Sequence, residues 1–174
     1  MTAHGNGATT MARILVIGYG NTLRGDDGFG PLAADLLAAR ALPDVEVITP
    51  HQLGPEMALD LCATDIAVFL DAAEGGEPGR LAAASIEARG LSPSAVSHRL
   101  DPGGLLALTR AVYGKAPAAM LVTATAAHFE HGEEISAEVR AAAQKAAEVI
   151  GRLVEEGRLR AVSLCEALRR TSLP

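Results

Sequence analysis

The segment from Ile14 to Gly30, ILVIGYGNTLRGDDGFG, constrains the fold more than any other part of the chain. An unbroken apolar run stops at Gly18-Tyr19-Gly20, the adjacent carboxylates Asp26 and Asp27 follow, and a helical pattern begins just beyond them. Apolar strand, glycine turn, polar loop and helix in that order form the first half of a parallel βαβ unit. Open α/β sheets bind their ligands outside the carboxyl ends of the strands, which places Asp26 and Asp27 on the expected functional edge.

The same alternation continues along the chain. Strand-like runs occupy Arg13 to Gly18, Val45 to Thr49, Ile66 to Asp71, Leu81 to Ile86 and Met120 to Thr125. The first and third are continuously apolar, as strands covered on both faces should be. Helical patterns fall at Pro31 to Arg40, Pro55 to Ala63, Pro102 to Tyr113 and Ser136 to Glu156. Proline opens three of these, where its missing N–H costs nothing, and Asp101 is a fitting N-cap for the third. The last helix carries Val139, Ala142, Ala143, Ala146, Val149, Ile150 and Leu153 on one face before Gly157 ends it. The pattern predicts an α/β fold in three αβα layers around a mostly parallel, roughly five-stranded twisted sheet. Leu81 to Ile86 follows Asp71 after little more than the turn-rich EGGEPG loop, and is expected as an antiparallel edge strand.

No repeat or linker divides the 174 residues. We expect a flexible leader over residues 1–11, one α/β domain over 12–157 and a C-terminal tail over 158–174 whose pattern defines no element. The opening MTAHGNGATT has neither the basic start nor the apolar stretch of a secretion signal. With 49% apolar residues the chain has the means to bury a core, and its net charge of -6 argues against nucleic acid as the main partner. No apolar run approaches the roughly 18 to 20 residues of a membrane span. Cys62 and Cys165 lack a CxxC spacing and read as ordinary thiols of a cytoplasmic protein.

The glycine turn invites comparison with a dinucleotide fold, whose GxGxxG fingerprint uses its third glycine for close helix–strand packing. Here Gly18 and Gly20 are followed by Asn21, Thr22 and Leu23, and the second strand closes on Thr49-Pro50-His51 without an acid, so nucleotide binding is disfavoured. The fold instead gathers acidic and imidazole groups: Asp27 after the first strand, His51 after the second, Asp71 ending the third, and His98 before the Asp101-capped helix. Such a set makes an O/N site suited to Ni, Zn, Fe or Mn. Structural readings stand beside this one. Asp27 can cap the following helix, Asp71 can form a turn, His98 can be a hydrogen-bonded structural residue, and Asp26 is expected to face solvent or share the cap.

These residues bring out a resemblance. The chain resembles the [NiFe]-hydrogenase maturation endopeptidases in ILVIGYGNTLRGDDGFGP, HQLGPEMALDL, IAVFLDAAEGGEPG, SHRLDPGGLLAL and VYGKAP, in that order over most of Arg13 to Val154. The HQLGPE and HRLDP segments are similar to the subset serving soluble NAD(P)-linked hydrogenases. The resemblance implies a phosphorylase/hydrolase-like fold and a nickel-binding triad at Asp27, Asp71 and His98, with His51, Gln52 and Glu56 in the region that chooses the substrate. It implies a nickel-loaded large-subunit precursor as partner, with nickel supplied by that precursor and not held permanently; for a processing enzyme that meets its substrate transiently we expect a monomer, in the cytoplasm. Two positions depart from the family pattern: Arg99 replaces a second histidine, and Ala126-Ala127 lacks a glycine after the last strand.

The residues themselves bear on mechanism. No GxSxG elbow is present and neither cysteine lies beside a turn and a histidine, so a protease built this way must activate water. Competing readings are a non-catalytic nickel-sensing or chaperone-like protein on the same scaffold, and a metallohydrolase with its own zinc.

Overall fold

The computed structural model describes residues 12–89, 100–132 and 134–171. Its strands are β1 (Ile14–Gly18), β2 (Val45–Ile48), β3 (Ile66–Ala73), β4 (Leu81–Ile86) and β5 (Ala118–Thr125). They form one five-stranded sheet in the order β2-β1-β3-β5-β4. β1 pairs in parallel with β2 and β3, and β3 pairs in parallel with β5. β4 is the antiparallel edge strand that the sequence suggested, but it pairs with β5 and not with β3. The flanks of β3 are already taken by β1 and β5, so the 74–80 connection must carry the chain past β5. Hydrogen bonds from Gly79 N to Thr125 O (2.8 Å) and from Thr125 N to Arg80 O (3.0 Å) fasten that connection to the end of β5.

Helices cover both faces. They are α1 (Phe29–Ala38), α2 (Ala58–Cys62), α3 (Pro102–Tyr113), α4 (Ala137–Glu155) and α5 (Ala161–Thr171). Alternate strand residues Val16, Val68, Leu70, Val122 and Ala124 are buried with α1, α4 and α5. The intervening Leu15, Ile17, Ala67, Phe69 and Ala119 are buried with α2 and α3. Period-two alternation along each strand thus sorts side chains between two cores, and the three αβα layers follow.

Local chemistry sets the helix boundaries. Asp101 Oδ1 accepts from Gly104 N at 2.7 Å, the N-cap expected from sequence. α1 begins two residues before Pro31, directly behind a 3-10 turn over Gly25–Gly28. The Pro55 helix divides into a 3-10 turn, Pro55–Met57, and the short α2. The tail left unplaced from sequence contains α5, which packs on β4 and α4 and buries Leu164 and Leu168 in the α1/α4 core. Both cysteines are free, and Cys165 Sγ donates to Ala83 O at 2.9 Å.

One close approach fixes the geometry of the functional edge. A Cβ at Gly18 would strike Gly30 O and Ala34, and a Cβ at Gly30 would strike Leu70 O and the Tyr19 main chain. β1, β3 and α1 therefore meet backbone to backbone, the close helix–strand contact that the dinucleotide fingerprint achieves with a glycine elsewhere. We predict that Gly30→Ala destabilises the protein by about 2–3 kcal/mol, the cost of overpacking a rigid contact. Urea denaturation would measure it, and an unchanged midpoint would contradict the packing described.

Candidate active site

The parallel strands β1, β2, β3 and β5 all end at one edge. The Gly18-Tyr19-Gly20 turn leaves β1 there, and Tyr19 N donates to Leu70 O of β3 at 3.2 Å. The next residue, Asp71, is half-buried and stands opposite Thr123 of β5 in the ladder. By strand alternation it belongs to the set of Ala67 and Phe69, on the α2/α3 face. Tyr19 packs against that same core, and its hydroxyl donates to Asp71 Oδ2 at 2.7 Å. Burial pushes the Tyr19 hydroxyl well above its ordinary range, the charge and hydrogen bond of Asp71 push further, and the charges of Asp101 and Asp27 add to them. The phenol stays protonated and serves as a donor. The carboxylates that act on it are Asp71, Asp101 and Asp27, drawn from three different segments of the chain.

Asp26 and Asp27 share the 3-10 turn but do different work. Asp27 does not cap α1: no side chain does so. Its Oδ2 accepts from Asn21 N at 2.8 Å, which folds the loop back onto the glycine turn, while Asn21 Oδ1 accepts from Leu23 N at 2.9 Å. Asp27 stays half-buried at the edge. The expectation that Asp26 faces solvent or caps the helix is overturned. Asp26 is fully buried and takes four donors from the loop between β5 and α4: Ala127 N (2.7 Å), Ser136 N (2.7 Å), Ser136 Oγ (2.9 Å) and His128 N (3.4 Å). Its own N–H donates to His128 O at 3.2 Å, and Gly132 N donates to Leu23 O at 2.9 Å. The Ala126-Ala127 departure from the family pattern is thus accommodated in a loop held by backbone amides.

Burial alone would raise the Asp26 carboxyl, but the donors from Ser136, Ala127 and His128 outweigh it and hold the carboxyl below its usual range. Position 25 takes glycine because its φ is +51° and the His128 ring lies directly against it.

The residues expected to choose the substrate, His51, Gln52 and Glu56, are all exposed. His51 and Gln52 follow β2 at the same edge, and Glu56 lies in the 3-10 turn before α2. His98 and Arg99 lie outside the described residues. Among the described residues no three His, Cys, Asp or Glu side chains form a metal-holding group. Asp27 and Asp71 are two half-buried carboxylates at this edge. A shallow cleft of about 490 Å³ lies at the opposite end of the sheet, lined by Arg13, Asp44, Asp60 and Cys62 among others. Neither Asp27 nor Asp71 lines it. Sequence reasoning missed Tyr19 and Ser136 as partners of the acids. Nothing local announces either, although a tyrosine between the two turn glycines was a visible oddity.

Comparison with solved structures shows what this three-layer α/β sheet with its acidic edge is similar to. The fold is similar to that of the [NiFe] hydrogenase maturation protease HycI from Thermococcus kodakarensis KOD1, at 27% identity over 84% of this chain and 95% of that one, with a TM-score of 0.66. A hydrogenase 2 maturation peptidase from a Thaumarchaeota archaeon is 32% identical over 84% of this chain and 99% of its own, with a TM-score of 0.61. The Escherichia coli endopeptidase HybD, 22% identical over 92% of this chain and 94% of its own, shares the fold at a TM-score of 0.57. No protein-family model and no curated protein matches the chain. The chain belongs to the [NiFe]-hydrogenase maturation endopeptidases.

The Asp26 knot generates a prediction with a definite sign. Asp26→Ala strands buried amides and should cost about 3 kcal/mol of stability. Because the folded carboxyl is depressed, its contribution is fully present above the unfolded value of about 3.9 and is lost as pH falls through the lower folded value. The stability gap between wild type and Asp26→Asn, followed by urea midpoints between about pH 6 and pH 2, should therefore close on acidification. A gap that stays constant over that range would contradict the assignment.

Proposed function

We propose that the protein removes the C-terminal extension of a [NiFe]-hydrogenase large-subunit precursor after nickel has been inserted, and that Asp27, Asp71 and His98 recognise that nickel. The observation that carries the reading is the acidic edge itself: Asp71 at the end of β3 held by Tyr19, and Asp27 half-buried in the loop after the neighbouring β1. Two oxygen donors with one imidazole match a borderline metal such as nickel. The nickel belongs to the precursor, so the protein needs no resident ion. Its acids act as a checkpoint that admits only loaded precursor.

Water is the nucleophile. Cys62 lines the cleft at the far end of the sheet, and Cys165 bonds to Ala83 on the edge strand, so neither thiol serves the edge where the acids lie. Water positioned beside the nickel and the aspartates attacks the scissile carbonyl, one carboxylate takes its proton and passes it to the leaving nitrogen, and the C–N bond breaks to release the extension as its amine. The exposed His51, Gln52 and Glu56 extend the site along the same edge, where they recognise the precursor surface. We infer a monomer that acts in the cytoplasm on a soluble NAD(P)-linked hydrogenase. Among the described residues no helix is long and apolar enough to cross a membrane.

Asp27→Ala, Asp71→Ala and His98→Ala should each lower the rate of extension release from nickel-loaded precursor by roughly 10² to 10⁴-fold, the range for losing a group that contacts the reacting centre. Glu56→Ala should instead raise KM and leave kcat nearly unchanged, as expected for uniform binding. Gel or mass analysis of timed digests separates these outcomes. Normal processing by Asp71→Ala would sink the proposal.

A further inference from the structure

We propose that Tyr19 is a positioning residue that fixes the Asp71 carboxylate for nickel discrimination. This inference rests on reading Asp71 as a residue that meets the nickel of the loaded precursor.

The geometry supports the role in three ways. First, the hydroxyl donates to a defined oxygen, Asp71 Oδ2, at 2.7 Å. The terminal torsion of an aspartate is broad, so a hydrogen bond to one defined oxygen narrows the orientations its carboxylate takes. Second, the phenol is itself held. Its main chain is pinned by the Tyr19 N to Leu70 O bond and by the bare backbone of Gly30, while the ring packs with the core of Leu15, Ile17, Phe69 and Leu105. A donor fixed at both ends imposes a direction on its acceptor. Third, tying β1 to β3 is not what the bond is for. Those strands are already in parallel register from Ile14↔Ile66 to Gly18↔Leu70, and the Tyr19 amide continues the ladder. The hydroxyl adds nothing to strand pairing that the backbone lacks. What it adds is the orientation of one side chain at the site.

Tyr19→Phe keeps the ring and removes only the donor. The test measures affinities of the full-length protein for nickel-loaded and nickel-free precursor, for wild type, Tyr19→Phe, Asp71→Ala and the double variant, with thermal melting as a check on folding. We expect Tyr19→Phe to melt cooperatively and to bind nickel-free precursor as wild type does. Its affinity for the loaded precursor should fall roughly tenfold, the scale of one hydrogen bond to a charged group. In the Asp71→Ala background the same change should have no further effect, because Tyr19 acts through Asp71. Equal weakening toward both precursor forms would overturn the proposal by showing a general packing role, as would undiminished discrimination by Tyr19→Phe. An additive effect in the double variant would overturn it too. A wild-type protein that cannot tell loaded from unloaded precursor would instead refute the underlying reading of Asp71, and the inference with it.

Discussion

The candidate site depends on one buried carboxylate. Asp26 lies in the loop after β1, yet it accepts its hydrogen bonds from Ala127, His128 and Ser136 after β5. Together with the main-chain bonds from Asp26 N to His128 O and from Gly132 N to Leu23 O, they join the two loops over the sheet edge into one piece. A buried charge is costly unless several donors compensate it, and here main-chain amides and a hydroxyl do so. Ser136 completes the arrangement, because its Oγ also accepts from Val139 N at 3.3 Å and starts α4. The residue next to Asp26 is Asp27, so whatever fixes the first carboxylate also fixes where the second can be.

The division of labour between adjacent aspartates has a simple physical basis. In a 3-10 turn successive side chains point about a third of a turn apart, so neighbours cannot share one environment. Asp26 turns inward to the donors of the opposite loop, and Asp27 remains half-buried with its Oδ2 accepting from the Asn21 amide. Asp71 arrives from another direction on β3, whose register against β1 and β5 sets its height at the edge. Glycines 18 and 30 let those backbones come close enough for Tyr19 to reach it. Acids fixed in this way suit the nickel recognition that we propose for them.

Much of this was legible in the chain before the coordinates. The apolar runs of β1 and β3 read as buried parallel strands because both their faces are covered, and Asp101 capped its helix as its type and place foretold. The placement of Asp27 and Asp71 at one edge followed from topology alone. What was not legible depends on contacts between distant parts of the chain. Asp26 meets partners 101 to 110 residues away, and Tyr19 meets Asp71 at a separation of 52. No local pattern encodes those distances. β4 was expected at an edge, but its partner strand is decided by which flanks of β3 remain open. α5 escaped notice because only Leu164, Leu168 and a few small residues anchor an otherwise polar helix. His98 rests on the family resemblance, since it lies outside the described residues.

The central claim is that this protein cleaves a hydrogenase precursor only when nickel is in place. The most direct measurement is intact-mass analysis of the cognate large-subunit precursor, nickel-loaded and nickel-free, after incubation with the full-length protein. The account predicts loss of a C-terminal peptide from the loaded form alone. Cleavage of both forms would contradict the nickel checkpoint, and an intact mass for a verified loaded precursor would contradict the processing activity itself.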